Sequence, residues 1–387
     1  MDTQRLYYND SYLCTFEATV LSCTPAKNGY AVVLDKTAFF PEGGGQPADS
    51  GTLGCAEVVD VHEKDGIITH FTNAPLQAGS TVTGALNWAR RFDHMQQHTG
   101  EHILSGIVNS LYGWDNVGFH MGADVVTVDF SGPMDSAALA KAEQLANQAV
   151  YAAAPVCVSY PTARQLQAMQ YRSKKEIAGQ VRIVTVGTSD KCACCGTHTA
   201  TAAEVGIIKI LSAQNYKGGV RITMVSGGRA FADYCLKTAQ ANEISAALSV
   251  KPNQLTAAFT RLKEETAALK MQLAAVQTNL FAKTAALLGT KDANVCLFED
   301  NLSPDDLRRL CLLVAQGRSG VSAVFSGSDT AGYKYALASE SLDILSFGKS
   351  FHAACSGRGG GKPPLLQGSC TATKAQIEQY FAALQPI

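Results

Sequence analysis

The chain has 387 residues, 46% hydrophobic and 17% charged, with a formal net charge of −1. That length suits two or three domains with sizeable cores, and the near-zero charge excludes a globally basic surface, so any polyanion site has to be a local patch. No apolar run approaches the ~20 residues needed to span a bilayer, the start MDTQRLYYND lacks a basic region followed by an apolar one, and the twelve cysteines are scattered. A membrane partner is therefore not expected, and a reducing cytoplasm is, where clustered cysteines serve metal binding or catalysis.

Residues 1–87 read as a β-rich domain. FEATVLSC, GYAVVLD, AEVVDVHE and GIITHFT are short, partly alternating segments separated by Gly, Asn, Asp and Pro, which fits a small barrel or sandwich-like sheet. Within them lies TAFFPEGGGQPADSGTL. Gly43, Gly44 and Gly45 are poor strand interior and predict a loop where backbone approaches something closely. Thr37, Gln46 and Asp49 give that loop a polar, binding-competent lining.

The pattern changes at Asn87. WARRFDHMQQHTGEHILSGIVNSLYG has helical spacing through Met95, Ile103, Leu104, Ile107, Val108 and Leu111, ending near Gly113. His98 and His102, four apart, lie on one helical face roughly 5–6 Å apart at Cβ, so both imidazoles can reach one ion. His94, one turn earlier, reads as flanking or surface. Downstream, KCACCGTHTA carries Cys194 and His198, again four apart, and three nitrogens with one thiolate suit Zn²⁺. Cys192 and Cys195 are neighbouring competitors for the thiolate. Strands around VGFHMGADVVTVDF, a helix over SAALAKAEQLANQAVYAAA capped by Asp135, and a closing hairpin complete an α+β domain over 88–234.

Residues 235–288 read as two helices broken at Lys251-Pro252-Asn253. The second repeats Leu255, Phe259, Leu262, Thr266, Leu269, Leu273, Val276 and Leu280 at spacings of three and four, the seam of a coiled coil formed with a second copy or within a helical hairpin. Residues 289–387 read as a small α/β domain, with a helix opened by Ser303-Pro304 and another capped by Thr373 and Gln376. Between them, CSGRGGGKPPLLQG reads as a flexible basic loop whose Arg358 and Lys362 could face phosphates.

His98-x-x-Glu101-His102 also matches the inverted zincin pattern, in which Glu101 would be the general base of a peptidase. That reading leaves Cys194, His198 and the glycine loop unexplained. A zinc-stabilised, non-enzymatic binding protein is a further alternative.

Taken together and in order, TAFFPEGGGQPADSG, MQQHTGEHILSG, VGFHMG, CACCGTH and VRITMVSGGRA resemble the editing module of alanyl-tRNA synthetases, and more closely the free-standing alanyl-tRNA editing proteins called AlaX. The helical stretch and glycine-rich end are similar to the synthetase's C-terminal domain, of the DHHA1 type, so the whole resembles the long form of AlaX. The resemblance implies an α+β architecture: a barrel-like domain, a zinc-containing editing domain, a helical coiled-coil linker and a DHHA1-like tRNA-binding domain. It implies hydrolysis of tRNA(Ala) mischarged with serine, and in some members glycine. It places one Zn²⁺ per chain on His98, His102, Cys194 and His198, a glycine-rich loop on Gly43 to Gln46, and serine/alanine discrimination on Thr37. Gln46 is expected as a second polar group in catalysis, and Gly43, Gly44, Gly45, Arg358 and Lys362 as substrate-binding residues. Cys195 stands where the synthetase motif usually has glycine. A homodimer through the helical or C-terminal region is a further expectation.

The chemistry agrees. A positioned water attacks an aminoacyl ester, and zinc either activates water or anchors the substrate. A site that hydrogen-bonds a hydroxyl rejects the analogue lacking it by up to ~10⁴–10⁵, whereas a methylene is worth only ~10–200-fold, so serine is the expected better substrate. Affinity for tRNA is expected from Arg90-Arg91, from Arg172 with Lys174-Lys175, and from Arg358 with Lys362.

Overall fold

The computed structural model describes residues 2–173, 179–288 and 293–384. The chain divides into two units, Met1–Ala247 and Leu248–Ile387. In the first, six strands close into a barrel in the order Thr15–Ala26, Gly29–Leu34, Ile67–Thr72, Ala56–Lys64, Gly51–Leu53, Thr81–Leu86. Alternation decides which side chains enter it: Phe16, Ala18 and Val20 point inward and meet Val32, Leu34, Val58 and Ile68. Of the two sheet forms the sequence allowed, the closed one leaves no sheet edge.

The helix Trp88–Tyr112 follows the barrel directly. Asn87 caps it by accepting from Arg90 N, and Gly113 ends it at φ 71°. From Gln97 to Val108 every residue is buried, so this helix is a central element rather than an amphipathic cover. Two glycines permit that. A Cβ at Gly100 would lie 2.2 Å from Ser226 Oγ, and one at Gly106 would lie 2.1 Å from Ser189 O. The antiparallel sheet Ile208–Tyr216, Gly219–Ser226, Val126–Phe130, Asn116–Met121 therefore closes on one part of the helix. A three-stranded antiparallel sheet, Val156–Ser159, Ile183–Val186, Asp190–Ala193, closes on another. Ile103, Leu104, Val108, Val128, Ile222 and Met224 fill the core between them with the helix Ser136–Tyr151, which Asp135 caps.

Arg91 joins barrel to helix. Its guanidinium is fully buried, paired with Asp49 and donating to the carbonyls of Ser11 and Ala38 at 2.9 and 2.6 Å. The sequence expected Arg90-Arg91 to be a tRNA patch. The structure corrects this for Arg91, since a buried, fully paired cation is not offered to phosphate. Arg90, although exposed, spends its Nε on Ala48 O at 3.1 Å.

The helix Gly227–Ala247 ends the first unit. The second unit opens with a short turn at Pro252–Gln254 and the helix Leu255–Leu287, broken from its predecessor where the sequence placed the break. Phe259, Leu269 and Val276 of the heptad series are each 64% exposed. Five strands follow in the order Val295–Phe298, Ser322–Ser328, Gly332–Ala338, Leu365–Cys370, Gly357–Lys362. The first pair is parallel, joined through the helix Pro304–Ala315, which Ser303 caps. Helices Ile344–Cys355 and Lys374–Ala382 pack on this sheet, the latter with its Thr373–Gln376 capping box.

One expectation is corrected here. The glycine-rich stretch Gly357–Lys362 is not a loop but the edge strand of the sheet, paired with Leu365–Cys370. Its glycines fit a strand because Tyr335 crosses them: a Cβ at Gly359 would lie 2.6 Å, and one at Gly368 2.3 Å, from the Tyr335 hydroxyl. Arg358 and Lys362, four apart, fall on one face of this strand and are exposed. Among the described residues no helix is long and apolar enough to cross a membrane.

Candidate metal centre

The four residues of the two spaced pairs meet. His98, His102, Cys194 and His198 each bring a ligand atom within 4.8 Å of the others. The helix supplies the first two. Cys194 leaves the strand Asp190–Ala193 directly, and Arg182 pins the turn it enters, donating to the carbonyls of Cys194 and Gly196 at 2.8 and 3.0 Å. Cys194 is the cysteine grouped with all three histidines; Cys195 is exposed, beside Gly44 of the glycine loop, and Cys192 falls in a second group with His102 and Asp190.

Each imidazole has one ring nitrogen held from outside the cluster. His98 Nδ1 lies 2.8 Å from Gln46 Oε1, His102 Nδ1 lies 2.8 Å from Asp190 Oδ2, and His198 Nδ1 lies 3.4 Å from Thr99 Oγ1. The Nε2 atoms are left for the centre: His98 Nε2 sits 3.4 Å from Cys194 Sγ, and His198 Nε2 is buried without a partner. An orphaned buried nitrogen costs free energy unless something binds it.

The electrostatics favour a cation. Burial alone would push the Cys194 thiol up, but His98 and His102 beside it hold it well below its ordinary value. Burial likewise opposes protonation of His102, yet the Cys194 thiolate and Asp190 raise it. His198 is lowered to about 3, by burial first and then by the histidines packed beside it. A thiolate and a neutral imidazole are the forms a metal ligates, and three nitrogens with one sulfur suit zinc.

Asp190 is itself held. Arg172 grips it with two hydrogen bonds of 2.7 and 2.9 Å. Arg172 is therefore corrected from a tRNA contact to a structural partner of the centre; Lys174 and Lys175 lie outside the described residues. Glu101 is engaged at Oε1 by Ser105 Oγ at 2.6 Å and by Asn116 Nδ2, and it is not one of the four clustered donors. In this fold Glu101 therefore serves a hydrogen-bond network with Ser105 and Asn116.

The glycine loop reaches the cluster through Gln46. Gly43 and Gln46 exchange backbone hydrogen bonds of 3.1 and 3.0 Å around Gly44 and Gly45, whose φ of 61° and 88° favour glycine. A Cβ at Gly45 would lie 2.6 Å from the Phe119 ring, and that ring stacks on His98 at 5.0 Å. Gln46 is fully buried.

Thr37 is placed differently. It too is fully buried, in the barrel, where its hydroxyl lies 2.8 Å from His70 Nε2 and accepts from Phe39 N at 3.1 Å. His70 Nδ1 faces Val32 O at 3.2 Å, and burial lowers its pKa to about 4. His70 is thus neutral near pH 7 with its proton on Nδ1, and Thr37 donates to Nε2. No described contact joins Thr37 to the four clustered residues. Arg358 and Lys362 lie in the second unit.

Sequence reasoning missed Asp190, Arg172, Thr99 and Thr197 as supports of the centre. No spacing rule connects Asp190 to His102, 88 positions away. Asp190, Thr99 and Thr197 are buried and Arg172 partly so, and burial is not written in local pattern.

Two family models match the chain. One described as tRNA synthetases class II (A) covers residues 6–90, and one described as the threonyl and alanyl tRNA synthetase second additional domain covers residues 181–223. The alanyl-tRNA editing protein Aarsd1 of Mus musculus is 35% identical over 229 residues, 55% of this chain and 56% of that one. The alanyl-tRNA editing protein AlaX-L of Pyrococcus horikoshii is 35% identical over 217 residues, 54% of each chain. These matches thus span only a little over half the length of the relatives. The alanyl-tRNA editing protein Aarsd1-B of Xenopus laevis aligns over 95% of both chains at 27% identity.

Proposed function

From a chain that is a homologue of the alanyl-tRNA editing proteins, we infer a trans-editing hydrolase that deacylates mischarged tRNA(Ala), Ser-tRNA(Ala) first and Gly-tRNA(Ala) less well, in the cytoplasm. The observation that carries the chemistry is the convergence of His98, His102, Cys194 and His198, with an orphaned His198 Nε2 and a stabilised Cys194 thiolate. These four would hold one Zn²⁺ per chain, which when bound supplies a Lewis acid at the aminoacyl end.

Hydrolysis adds water to the ester carbonyl carbon and breaks its bond to the ribose oxygen, releasing the amino acid and intact tRNA. The glycine turn beside Cys195 forms one wall of the centre. Thr37 is the proposed discriminator. Its proton is committed to His70, so its oxygen has one lone pair left to accept from a serine hydroxyl; alanine brings no such donor. In the second unit, Arg358 and Lys362 on the edge strand are the proposed contacts to tRNA phosphates, as in a DHHA1-like domain. The exposed seam of the helix Leu255–Leu287 is the proposed coiled-coil contact of a homodimer.

The test is deacylation of Ser-tRNA(Ala) beside Ala-tRNA(Ala) and Ser-tRNA(Ser), with zinc measured on the same preparation. Loss of the first alone, with about one zinc per chain, is expected. Four protein ligands close a tetrahedral site, which favours a second reading, a zinc-stabilised tRNA-binding protein. Zinc-loaded protein that binds tRNA and hydrolyses none of the three would establish that one instead.

A further inference from the structure

We propose that Gln46 is a positioning residue of the metal centre: its amide oxygen sets the tautomer and orientation of His98, and the two glycines before it, Gly44 and Gly45, let the loop deliver it there. This rests on the metal reading above and adds to it a role for the loop that does not involve substrate.

The amide's orientation follows from its partners. Thr197 N can only donate, and it donates to Gln46 Oε1 at 3.2 Å. Gln46 Nε2 in turn donates to Thr197 Oγ1 at 2.9 Å. Oxygen therefore faces His98, and the His98 Nδ1 at 2.8 Å must carry the proton. That leaves His98 Nε2 bare, the form that ligates a metal.

The same ring is hemmed in by two further neighbours. Phe119 stacks on it at an interplanar angle of 25°, and Gly196 backs it so closely that a Cβ there would lie 2.2 Å from His98 Cε1. The loop reaches this place only because Gly45 passes the Phe119 ring and Gly44 the Cys195 sulfur without side chains. Both lone pairs of the Gln46 amide oxygen are used within the protein, so that oxygen is committed to His98 and Thr197 rather than to a substrate. Gln46 acts through His98.

The experiment compares wild type with Gln46→Ala and Gln46→Glu. Zinc affinity is measured by competition with a chelator, and the cobalt-substituted proteins are compared by their visible ligand-field bands. Losing an outer partner of a metal-bound histidine typically costs ~10–100-fold in metal affinity. Gln46→Ala is expected to fall in that range, with an altered cobalt spectrum. Gln46→Glu keeps an acceptor for His98 Nδ1 and Thr197 N and is expected to restore both. Where Gln46→Ala does not fold, Gln46→Met, which keeps the volume and loses the acceptor, takes its place with the same expectation. A Gln46→Ala or Gln46→Met protein with zinc affinity within twofold of wild type and an unchanged cobalt spectrum would overturn the proposal. Wild type that takes up no zinc would overturn the metal reading and this inference together, whereas a zinc-loaded wild type with a normal Gln46→Ala variant would sink this one alone.

Discussion

Thr37→Val separates two jobs that the Thr37 hydroxyl is asked to do. Valine matches threonine in shape, so the substitution leaves no cavity and removes only the hydroxyl. Two buried groups are then left unpaired: His70 Nε2, which received the Thr37 proton, and Phe39 N, which donated to its oxygen. An unsatisfied buried polar group costs about 1–3 kcal/mol, so the pair should lower barrel stability by about 2–6 kcal/mol. Urea unfolding followed by tryptophan fluorescence reads this directly, because both tryptophans, Trp88 and Trp114, lie in the first unit. Thr37→Ser is the control: it keeps the hydroxyl and gives up one methyl, worth about 0.8 kcal/mol. If the oxygen also accepts from a serine hydroxyl, Thr37→Val should lose most of the preference for Ser-tRNA(Ala) over Ala-tRNA(Ala), with zinc content unchanged, and Thr37→Ser should keep it. Stability within about 0.5 kcal/mol of wild type, the scatter expected of a neutral substitution, would refute the hydrogen-bond argument. Lower stability with intact selectivity would confine Thr37 to holding the strand end and loop in place.

The barrel should also weaken in acid. Burial holds His70 at about 4 while the unfolded chain binds its proton near 6.5, so stability is flat above pH 6.5 and falls as pH drops towards 4. The gap is worth about 3 kcal/mol, and His70→Gln should reduce the slope of a urea-midpoint profile over that range, leaving the part owed to His198, which burial also lowers; a slope unchanged from wild type would refute the assignment. Replacing Arg358 and Lys362 together by alanine should weaken tRNA binding and reduce the slope of log affinity against log salt by about 2, since each phosphate that is no longer neutralised takes away about 0.9. An unchanged slope would move the tRNA-binding surface elsewhere. Leu273→Asp, in the exposed seam, should convert a dimer to a monomer in sedimentation equilibrium. A wild-type monomer at micromolar concentration would dispose of the seam pairing.

How much of this was legible beforehand divides along a physical line. Properties set by neighbours within a few residues could be read from the sequence: the metal pairs four apart, the caps at Asp135, Ser303 and Thr373, the alternation that fills the barrel, and the break at Pro252. Each follows from helical or strand periodicity, or from a side chain bonding its own local backbone. Only the tertiary structure decided what the polar residues face. Arg91 and Arg172 look like surface cations in sequence, yet they are sunk against Asp49 and Asp190, 42 and 18 positions away. Gly357–Lys362 reads as a loop by composition and becomes a strand because Tyr335, from elsewhere in the sheet, needs the space a side chain would fill. Gln46 was legible as a polar residue beside a glycine loop, but its meeting with His98, 52 positions on, was not. Periodicity reports the face a residue lies on. Which distant residue occupies that face is settled by packing, where buried donors and acceptors must find each other.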